Sequence, residues 1–446
     1  MKRFSLLLLA ASSLACIAAS AETRPHYGGT LRIALREAPQ SLAPSNMTGP
    51  ALSNLSRQIF ETLVALDDRG RPQPLLAASW QSEPGYQRWR FMLRSGVSFH
   101  DGTPLDAGSV VACLRNGNPG WRVLEAGNAV IIETDTPDPG IPSELALARN
   151  GIVRGSGSQV NGTGPFVSRF DPGKHLTLVA NDQYWGGRPF LDSVEVDFGV
   201  NDRDAMVALD LGKADVMEVA AENIQRMRAQ DHIVDASDPM EFIALVFAGD
   251  PASDMDLHAR TILAQSLDKA AISNVVLQGG GEPAGALLPN WLSGYAVIFD
   301  WEAAERPQRT EAYLRPLSLA YDSSDAIARL VAERILLNAR DAGLTVQLTT
   351  SGIADVRLGR VPVVSSDARL ALSQIAKDLQ LPMPKWNGDS LEDLYAAEKL
   401  LLQSHRIVPL LHLRTAVALR ANVRGWITFP DGRWNLAPVW LAPEKP

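Results

Sequence analysis

Alternation of apolar and polar positions predicts two strands near the start of the chain. Leu31, Ile33 and Leu35 alternate with polar or small neighbours directly after a Gly-Gly pair. A second alternating stretch, RWRFMLR at 88–94, runs into the turn-rich segment GVSFHDGTPLDA. A period of two gives each strand one apolar and one polar face. We therefore expect both strands to have one face in a core and the other in water.

A strand, a helix and a second strand are predicted in succession between residues 316 and 348. LSLAY and LTVQL have the strand period, and residues 325–342 between them carry apolar side chains at helical spacing. Gly343 stands where a helix C-terminal cap belongs. A helical pair is also predicted over 257–277. A strand that crosses through a helix to another strand of the same sheet is almost always parallel to it, which indicates an α/β fold.

The first residues have the pattern of a secretion signal. Lys2 and Arg3 precede an apolar stretch at 4–17, and Ala-Ser-Ala at 19–21 forms a cleavage site. The apolar stretch is shorter than the roughly 20 residues that span a bilayer. We expect residues 1–21 to be a signal peptide, the mature chain to start near Glu22, and the protein to be soluble in the periplasm.

The positions of the two cysteines indicate whether the exported chain carries a lipid anchor and whether it can form a disulfide. Cys16 lies where a lipid-modified cysteine can sit, but its preceding residues 13–15 place Leu one position later than a lipidation signal requires. Lipoprotein anchoring is therefore the less favoured alternative. Cleavage after Ala21 leaves Cys113 as the one cysteine of the mature chain, which excludes an intramolecular disulfide. Within VVACL, Cys113 is expected to be a small buried apolar residue.

Length and charge limit the number of domains and the classes of partner. The chain has 446 residues and a formal charge of −8, which becomes −10 once Lys2 and Arg3 are removed. An acidic surface argues against nucleic acid and anionic membranes as partners. More than 400 residues exceed what a single core organises, so two or more domains are expected.

The motifs of catalysis and of metal binding are absent from the sequence. There is no GxSxG, GxxxxGK[ST], HExxH or CxxC pattern. His405 and His412, the closest histidine pair, are not spaced to form one metal-binding face. Asp101 and Asp106 flank GTPL, where turn hydrogen bonding is a better explanation than acid–base work. We expect neither enzyme activity nor a resident metal or cofactor.

Ten tryptophans are the remaining candidates for binding, because a cleft needs rigid apolar area. Three of them, Trp80, Trp89 and Trp185, lie in strand-like segments or in segments closely bounded by turn residues. We expect these three in a core. Three others lie in loops beside Gly, Pro or Asn, where an aromatic ring either covers a small core or contacts a ligand. These three candidates are Trp121, Trp291 and Trp386.

Several segments together resemble the extracellular solute-binding family that serves dipeptides, oligopeptides and nickel. SWQSEPGYQRWRFMLRSGVSFHDGTPLDAGSVVACL is similar to that family's small-domain signature, and NGTGPF at 161–166 and NDQYWGGRPFLDSVEVDF at 181–198 follow in the family's order. AMVALDLGKADV at 205–216 and the segment from 256 to 289 continue the match. The resemblance covers most of residues 28–290, and the segment 407–426 is similar to the family's return strand.

The resemblance implies a two-lobed α/β periplasmic binding protein of type II, cluster C, with a small domain inserted in lobe I. It would be a monomer that binds a small ligand between its lobes and presents the closed form to the permease subunits of an ABC importer. The expected boundaries are lobe I at 24–55, 166–240 and 415–446, the small domain at 56–165, and a shortened lobe II at 241–414.

One pocket residue is implied by the same resemblance. SELALARN at 143–150 is similar to the Leu-Ala-Leu-x-Arg stretch of nickel-binding members, which makes Arg149 the candidate ligand residue. Arginine offers five donors and no acceptor, so it suits a carboxylate or a metal chelate better than a bare cation. The alternative is a surface arginine at a helix end. No acidic residue for a peptide amine is identified, so the ligand is expected to be peptide-like, acid-bearing or a chelate.

Two other functions stay open at this point. The shortened second lobe would also fit a degenerate member that transports nothing and acts as a periplasmic sensor or regulatory partner. A periplasmic hydrolase is the third alternative, and it is disfavoured because no nucleophile and base are found together.

Overall fold

The computed structural model of the chain describes residues 24–156, 159–172, 175–302, 315–350, 353–386, 388 and 390–443. The predicted signal peptide at 1–21 lies outside these residues. None of the helices in the described ranges has the length and hydropathy needed to cross a membrane.

Strands are numbered along the chain. They are β1 Thr30–Ala34, β2 Val64–Leu66, β3 Pro72–Pro74, β4 Ala77–Ser82, β5 Arg88–Leu93, β6 Arg122–Glu125, β7 Ala129–Glu133, β8 Arg154–Ser156, β9 Gln159–Asn161, β10 Phe166–Asp171, β11 His175–Ala180, β12 Ser193–Asp197, β13 Val216–Val219, β14 Ile233–Phe247, β15 Gly281–Pro283, β16 Leu317–Ala320, β17 Val346–Thr349, β18 Val356–Pro362, β19 Ile407–Leu419, β20 Val423–Arg424 and β21 Trp440–Leu441.

Helices are numbered in the same way. They are α1 Pro50–Ile59, α2 Ala107–Gly117, α3 Ile141–Leu145, α4 Asp202–Asp210, α5 Ile224–Ala229, α6 Asp254–Ser266, α7 Lys269–Ala271, α8 Asn290–Ser293, α9 Ala296–Glu302, α10 Ala326–Asp341, α11 Ala368–Asp378 and α12 Leu391–Gln403. Short 3-10 turns occupy Pro44–Asn46, Ala148–Asn150 and Ala221–Asn223, and a π-helical turn, Ile272–Val276, follows α7.

One large sheet runs through both halves of the molecule, in the order β10-β11-β12-β1-β13-β19-β14-β18-β16-β17, with β15 also paired to β19. In the first half β1 is parallel to β12 and β13. In the second half β16 is parallel to β17 and β18. The long antiparallel strands β14 and β19 cross between the halves. This is a two-lobed α/β architecture, as predicted.

The local patterns in the sequence correspond to observed elements. Alternate residues of β1 and β5 are buried. The predicted strand, helix and strand at 316–348 are β16, α10 and β17, and Asp325 caps α10 by accepting from the amides of Ile327 and Ala328. The helical pair at 257–277 is α6 followed by α7 and the π-helical turn, with Asp268 as the cap between them.

The small domain has its own antiparallel sheet, β4-β5-β7-β6, and its own core. Trp89 is buried in this core, and Trp80 and Trp185 pack against it half-buried. Cys113 is also half-buried there, with its Sγ 3.5 Å from the Gly151 carbonyl oxygen. Burial raises the pKa of the Cys113 thiol, which keeps it protonated and unreactive.

A buried carboxylate, Glu61, ties the small domain to the segment around Trp185. Glu61 accepts hydrogen bonds from Thr163 Oγ1 at 2.8 Å, from the Tyr184 hydroxyl at 2.9 Å and from Trp185 Nε1 at 2.8 Å. Burial raises the pKa of Glu61 against the effect of these donors. Three satisfied bonds offset part of the cost of burying the group. The Tyr-Trp pair of the NDQYWGG segment is thus held against the small domain.

A second buried carboxylate, Glu398 on α12, organises the second lobe. Its Oε1 accepts from the backbone amides of Leu287 and Leu288 at 2.6 and 2.9 Å, and its Oε2 accepts from the Tyr295 hydroxyl at 2.6 Å. The residue is fully buried. Burial raises the pKa of Glu398 to about 7 despite these donors. The neutral acid can keep all three contacts, because its proton can be donated to the Tyr295 oxygen.

Glu398 should therefore make stability depend on pH. The pKa is higher in the folded chain than the value of 4.5 expected when unfolded, so the folded chain binds more protons between about pH 4.5 and 7. The free energy of unfolding should fall as pH rises through this window. Relative to Glu398→Gln, the wild type should lose on the order of 3 kcal/mol. Denaturant unfolding of both proteins at several pH values measures the difference.

The comparison with Glu398→Gln isolates this group from His412, which is buried nearby. The pKa of His412 is lowered to about 4 by burial, so its own contribution increases stability as pH rises from about 4 to 6.5. That contribution is common to both proteins and cancels in the difference. A difference that stays constant with pH would show that Glu398 titrates normally.

Candidate binding cleft

A cavity of about 1430 Å³ lies between the two halves of the large sheet. In the first half, its lining follows the ends of β1 and β12, at residues 35–37 and 199–202. In the second half, the lining follows β16 and β18, at 322, 324 and 325 and at 363–366. Ligands of open α/β sheets bind outside the carboxyl ends of the parallel strands. Both halves present those ends to the same cavity, which exceeds the roughly 300–1,000 Å³ of a small-molecule pocket.

Helix α1 runs along one wall of this cavity. Pro50, Ser53, Asn54 and Arg57 line it, together with the N-cap Gly49. The last three of these residues follow Pro50 by three, four and seven positions, so all four share one helical face. The opposite face carries buried apolar residues of the lobe core, including Leu52, Leu55 and Ile59. Small residues toward the cavity keep the wall open, and Arg57 is the one charged side chain of that face.

The wall near the start of α1 is rich in carboxylates. Two arginines among them are paired: Arg36 Nη2 lies 2.7 Å from Glu218 Oε1, and Arg360 Nη2 lies 2.5 Å from Glu241 Oε2. We call this group of cavity-lining residues the acidic wall. It comprises Arg36, Glu37, Asp202, Glu218, Glu222, Glu241, Asp325 and Arg360. Six carboxylates thus face two guanidinium groups.

Glu37 and Glu222 are the carboxylates of the acidic wall that have no ion pair within the described ranges. Desolvation raises the pKa of Glu37, and Glu218 and Glu241 raise it further, whereas Arg36 and Arg360 lower it. Burial also raises the pKa of Glu222, with a contribution from Asp202, whereas a backbone hydrogen bond and the same two arginines lower it. A cation in the cavity would favour the ionised form of both groups.

Basic groups lie at the other end of α1. Arg57 donates from Nη2 to the Ala146 carbonyl oxygen at 3.1 Å, and no carboxylate contacts it within the described ranges. Arg433 is paired with Asp431, with Nε 2.5 Å from Oδ2. Burial lowers the pKa of Arg57 to about 10, and the charge of Arg433 lowers it further against the opposing effect of Asp431. Arg57 is half-buried, and a partly desolvated cation without an anion in contact is costly, so an anionic ligand would be stabilised here.

The predicted residue Arg149 also lines the cavity, but its donors already have protein partners. Nε and Nη2 bind Glu144 Oε1 at 3.1 and 2.6 Å, and Nη2 lies 2.8 Å from Oε2. Nη1 donates to Gln374 Oε1 on α11 at 3.2 Å. Arg149 thus links the small domain to the second lobe at the edge of the cavity. A direct contact with ligand stays a prediction.

The three candidate tryptophans lie outside the cavity lining and cover small cores. Trp121 packs on the core of the small domain. Trp291 packs on the second lobe and donates from Nε1 to the Pro239 carbonyl oxygen at 2.9 Å. Trp386 packs on the same core beneath the guanidinium of Arg369, which lies 4.3 Å from its ring. Ligand contacts through these rings stay predictions.

Metal-binding arrangements are absent from the described part of the chain, where no three His, Cys, Asp or Glu side chains are placed to hold an ion. His412 Nε2 is hydrogen-bonded to the Leu287 carbonyl oxygen at 2.9 Å. Asp101 accepts from the Thr103 amide, and Asp106 caps α2 by accepting from the Ser109 amide. The two aspartates therefore have the turn and cap roles expected from the sequence.

Direct contacts across the mouth of the cavity join the small domain to the second lobe. Ser143 Oγ donates to Asp367 Oδ2 at 2.6 Å, and Ser366 Oγ donates to the Asp67 carbonyl oxygen at 3.4 Å. Gly70 packs so closely that a Cβ there would lie 2.0 Å from the Ser366 carbonyl oxygen. These protein contacts therefore bound the cavity on this side.

Sequence comparison matches residues 71–404 to the model of the bacterial extracellular solute-binding proteins, family 5 (middle region). An uncharacterized protein of Bacillus subtilis, YhjP, is 36% identical over 177 residues, which are 36% of this chain and 31% of that protein. The chain thus matches about a third of that relative's length.

Solved structures share the fold. A dipeptide-binding protein from Pseudoalteromonas in complex with Met-Leu superposes with a TM-score of 0.76, at 16% identity over 93% of this chain and 100% of that one. NikA from Brucella suis in complex with Fe(III)-EDTA superposes with a TM-score of 0.75, at 18% identity over the same shares. At such identities the similarity shows the architecture alone.

Gly70→Ala should open the mouth of the cavity. The new Cβ would overlap the Ser366 carbonyl group, and backbone on both sides leaves little room to adjust. Gly96→Ala is the matched control, because Gly96 has a similar φ, +79° against +73°, and nothing lies within 4 Å of its Cβ position. Both variants should lose about 1–2 kcal/mol to left-handed backbone strain.

Small-angle X-ray scattering of the two variants measures the effect. We expect a larger radius of gyration for Gly70→Ala alone. Equal radii for the two variants would show that the contact between Gly70 and Ser366 does not hold the domains together in solution.

Proposed function

The chain belongs to the bacterial extracellular solute-binding proteins of family 5, and we propose that it captures a small solute between its two lobes for an ABC importer. The observation that carries this proposal is the cavity at the carboxyl ends of both sets of parallel strands. Such a position gives a ligand contacts with both lobes at once. Any ligand that binds both lobes favours the closed form over the open one.

We place the hinge where β14 and β19 cross. Their register shifts between Ala236 and Glu241, where Pro239 interrupts the hydrogen bonding of β14. Ser237 and Thr415 bind each other there through their hydroxyl groups at 3.0 Å. The proposed lobe boundaries, 240/241 and 414/415, fall at this irregularity. A locally unpaired pair of strands can bend at lower cost than a regular ladder, and this supports the division into lobes.

The contacts at the mouth are too few to hold the closed form by themselves. Three hydrogen bonds between the small domain and the second lobe, from Ser143 to Asp367, from Ser366 to Asp67 and from Arg149 to Gln374, contribute about 0.5–1.5 kcal/mol each. The open form gains solvation of the same polar groups. We propose that ligand supplies the remaining difference, so that the closed form reports a loaded protein to a permease in the periplasm.

A solute should accompany the protein through purification and stabilise it. Native mass spectrometry of gently purified protein should show an added small-molecule mass that is lost after unfolding and refolding. Adding the extracted molecule back to the refolded protein should raise its melting temperature and reduce its radius of gyration, because the ligand binds the closed form.

A contrary result has a definite meaning. Protein that carries no small molecule, and that neither stabilises nor contracts with extracts of its native periplasm, would contradict solute capture and favour a non-transporting role.

We further propose that Arg149 supports ligand binding, either directly or by holding Glu144 and Gln374 at the edge of the cavity. Arg149→Ala should weaken binding of the co-purified molecule at least tenfold, or about 1.4 kcal/mol, in calorimetry. Arg122→Ala is the control, because Arg122 is a solvent-exposed arginine of the same domain that lies outside the cavity lining.

Affinity and melting temperature together separate a role of Arg149 in ligand binding from a purely structural role. Equal affinity in Arg149→Ala would remove this residue from the site. A lowered melting temperature of the ligand-free variant together with unchanged affinity would assign the residue to structure.

A further inference from the structure

The small domain meets the second lobe at the rim of the cavity. In the part of the chain that the structure describes, three hydrogen bonds and one close backbone approach connect them. On the small domain the contacts come from the turn 67–71 and the segment 143–149. On the second lobe they come from residues 366–374, at the start of α11. Separation of the lobes at this rim breaks all of these contacts.

Asp367 supplies an acceptor on the second-lobe side, and its own helix holds it in position. Its Oδ1 caps α11 by accepting from the amides of Arg369 and Leu370 at 3.0 and 3.1 Å. Its Oδ2 accepts from Ser143 Oγ of the small domain at 2.6 Å. An acceptor that is already fixed loses little conformational entropy when a partner binds it.

Gln374 and Arg149 are also held within their own domains. Gln374 Nε2 donates to Asp378 Oδ1, one turn further along α11, at 2.7 Å. Gln374 Oε1 then accepts from Arg149 Nη1 at 3.2 Å. The other nitrogens of Arg149, Nε and Nη2, bind Glu144 of the small domain. Each side of this contact is therefore oriented by bonds that do not cross the rim.

The turn 67–71 has the same property. Asp67 Oδ1 accepts from the amides of Arg69 and Arg71 at 2.9 Å each, and its Oδ2 accepts from Arg71 Nε at 2.8 Å. Gly70 adopts a φ of +73°, which favours glycine. The turn thereby presents the Asp67 carbonyl oxygen to Ser366 Oγ at 3.4 Å and brings Gly70 against the Ser366 carbonyl group.

The small domain is tied to the first lobe as well. Gln58 is buried, and its Nε2 donates to the Trp434 carbonyl oxygen at 3.2 Å while its Oε1 accepts from the Leu436 amide at 3.0 Å. A contact between the small domain and the second lobe therefore also holds the first lobe near the second.

We propose that the small domain is a latch, which raises the fraction of closed molecules in the ligand-free protein through its contacts with residues 366–374. Every contact of the latch is made between protein groups, and each group is oriented within its own domain. The latch thus acts before a solute arrives and needs no group of the solute. This role of the small domain goes beyond solute capture.

The latch has a consequence for affinity that rests on the proposed function. A solute that binds the closed form has an apparent dissociation constant equal to the intrinsic one divided by the closed fraction. Where the closed form is the minor one, a tenfold higher closed-to-open ratio raises affinity by nearly the same factor, or about 1.4 kcal/mol. The small domain would thereby strengthen the binding of any solute without contacting it.

The test measures the distance between the small domain and the second lobe in ligand-free protein, prepared by unfolding and refolding. Nitroxide labels are attached after Ala112→Cys on α2 and Leu400→Cys on α12, two exposed positions, in a Cys113→Ser background. Pulsed electron double resonance of these labels gives the distribution of distances, and its components give the closed-to-open ratio.

The latch variant combines Ser143→Ala with Gln374→Ala, which removes two of the hydrogen bonds across the rim and leaves the cap of α11 in place. A hydrogen bond changes an equilibrium constant by about two- to tenfold. We therefore expect the closed-to-open ratio to fall at least about fourfold, with a gain in the longer distances.

The control variant combines Ser318→Ala with Gln87→Ala. Ser318 Oγ donates to Asp355 Oδ2 at 2.8 Å within the second lobe, and Gln87 Nε2 donates to the Asp135 carbonyl oxygen at 3.0 Å within the small domain. The substitutions are the same as in the latch variant, but the lost bonds do not cross the rim. The distance distribution of the control should match that of the wild type.

Two outcomes overturn the latch. Equal distributions in the wild type and the latch variant would show that the rim contacts do not draw the lobes together. An equal shift in the control variant would assign the change to a general loss of stability. Neither outcome depends on solute capture, because no solute is present. A protein that closes through the latch but takes up no small molecule would contradict solute capture alone.

Discussion

The antiparallel pairing of β14 with β19 is the interaction on which the rest of the structure depends. These two strands belong to both lobes, and their ladder joins β13 on one side to β18 on the other. Because they hold the two sets of parallel strands in one sheet, the carboxyl ends of both sets face a common cavity. The register of this pair shifts on both sides of Pro239 and again between Ile243 and Ala244, so the ladder is irregular along this stretch. The same pair of strands therefore determines where the cavity lies and where the proposed movement of the two lobes can occur.

Much of the fold could be predicted from the sequence, because the relevant patterns are local. The alternation in β1 and β5, the helical face of α10 and the cap at Asp325 each depend on neighbours within a few residues. The role of the two aspartates near α2 was predictable for the same reason. Local hydrogen bonding decides these features wherever the segment lies in the fold.

The charged ends of the cavity could not be predicted in this way. In the part of the chain that the structure describes, Arg57 has no carboxylate in contact, and its neighbours Asp431 and Arg433 come from the far end of the chain. Arg149 lies in a segment with a recognisable pattern, yet its neighbour Glu144, five residues away, occupies most of its donors. The one local signal for Arg57 was the spacing of Ser53, Asn54 and Arg57 opposite the apolar face of α1.

The charges along α1 also agree with the dipole of the helix. Glu37 lies at the positive N-terminal end, and Arg57 lies at the negative C-terminal end. The helix dipole therefore stabilises the ionised forms of both groups.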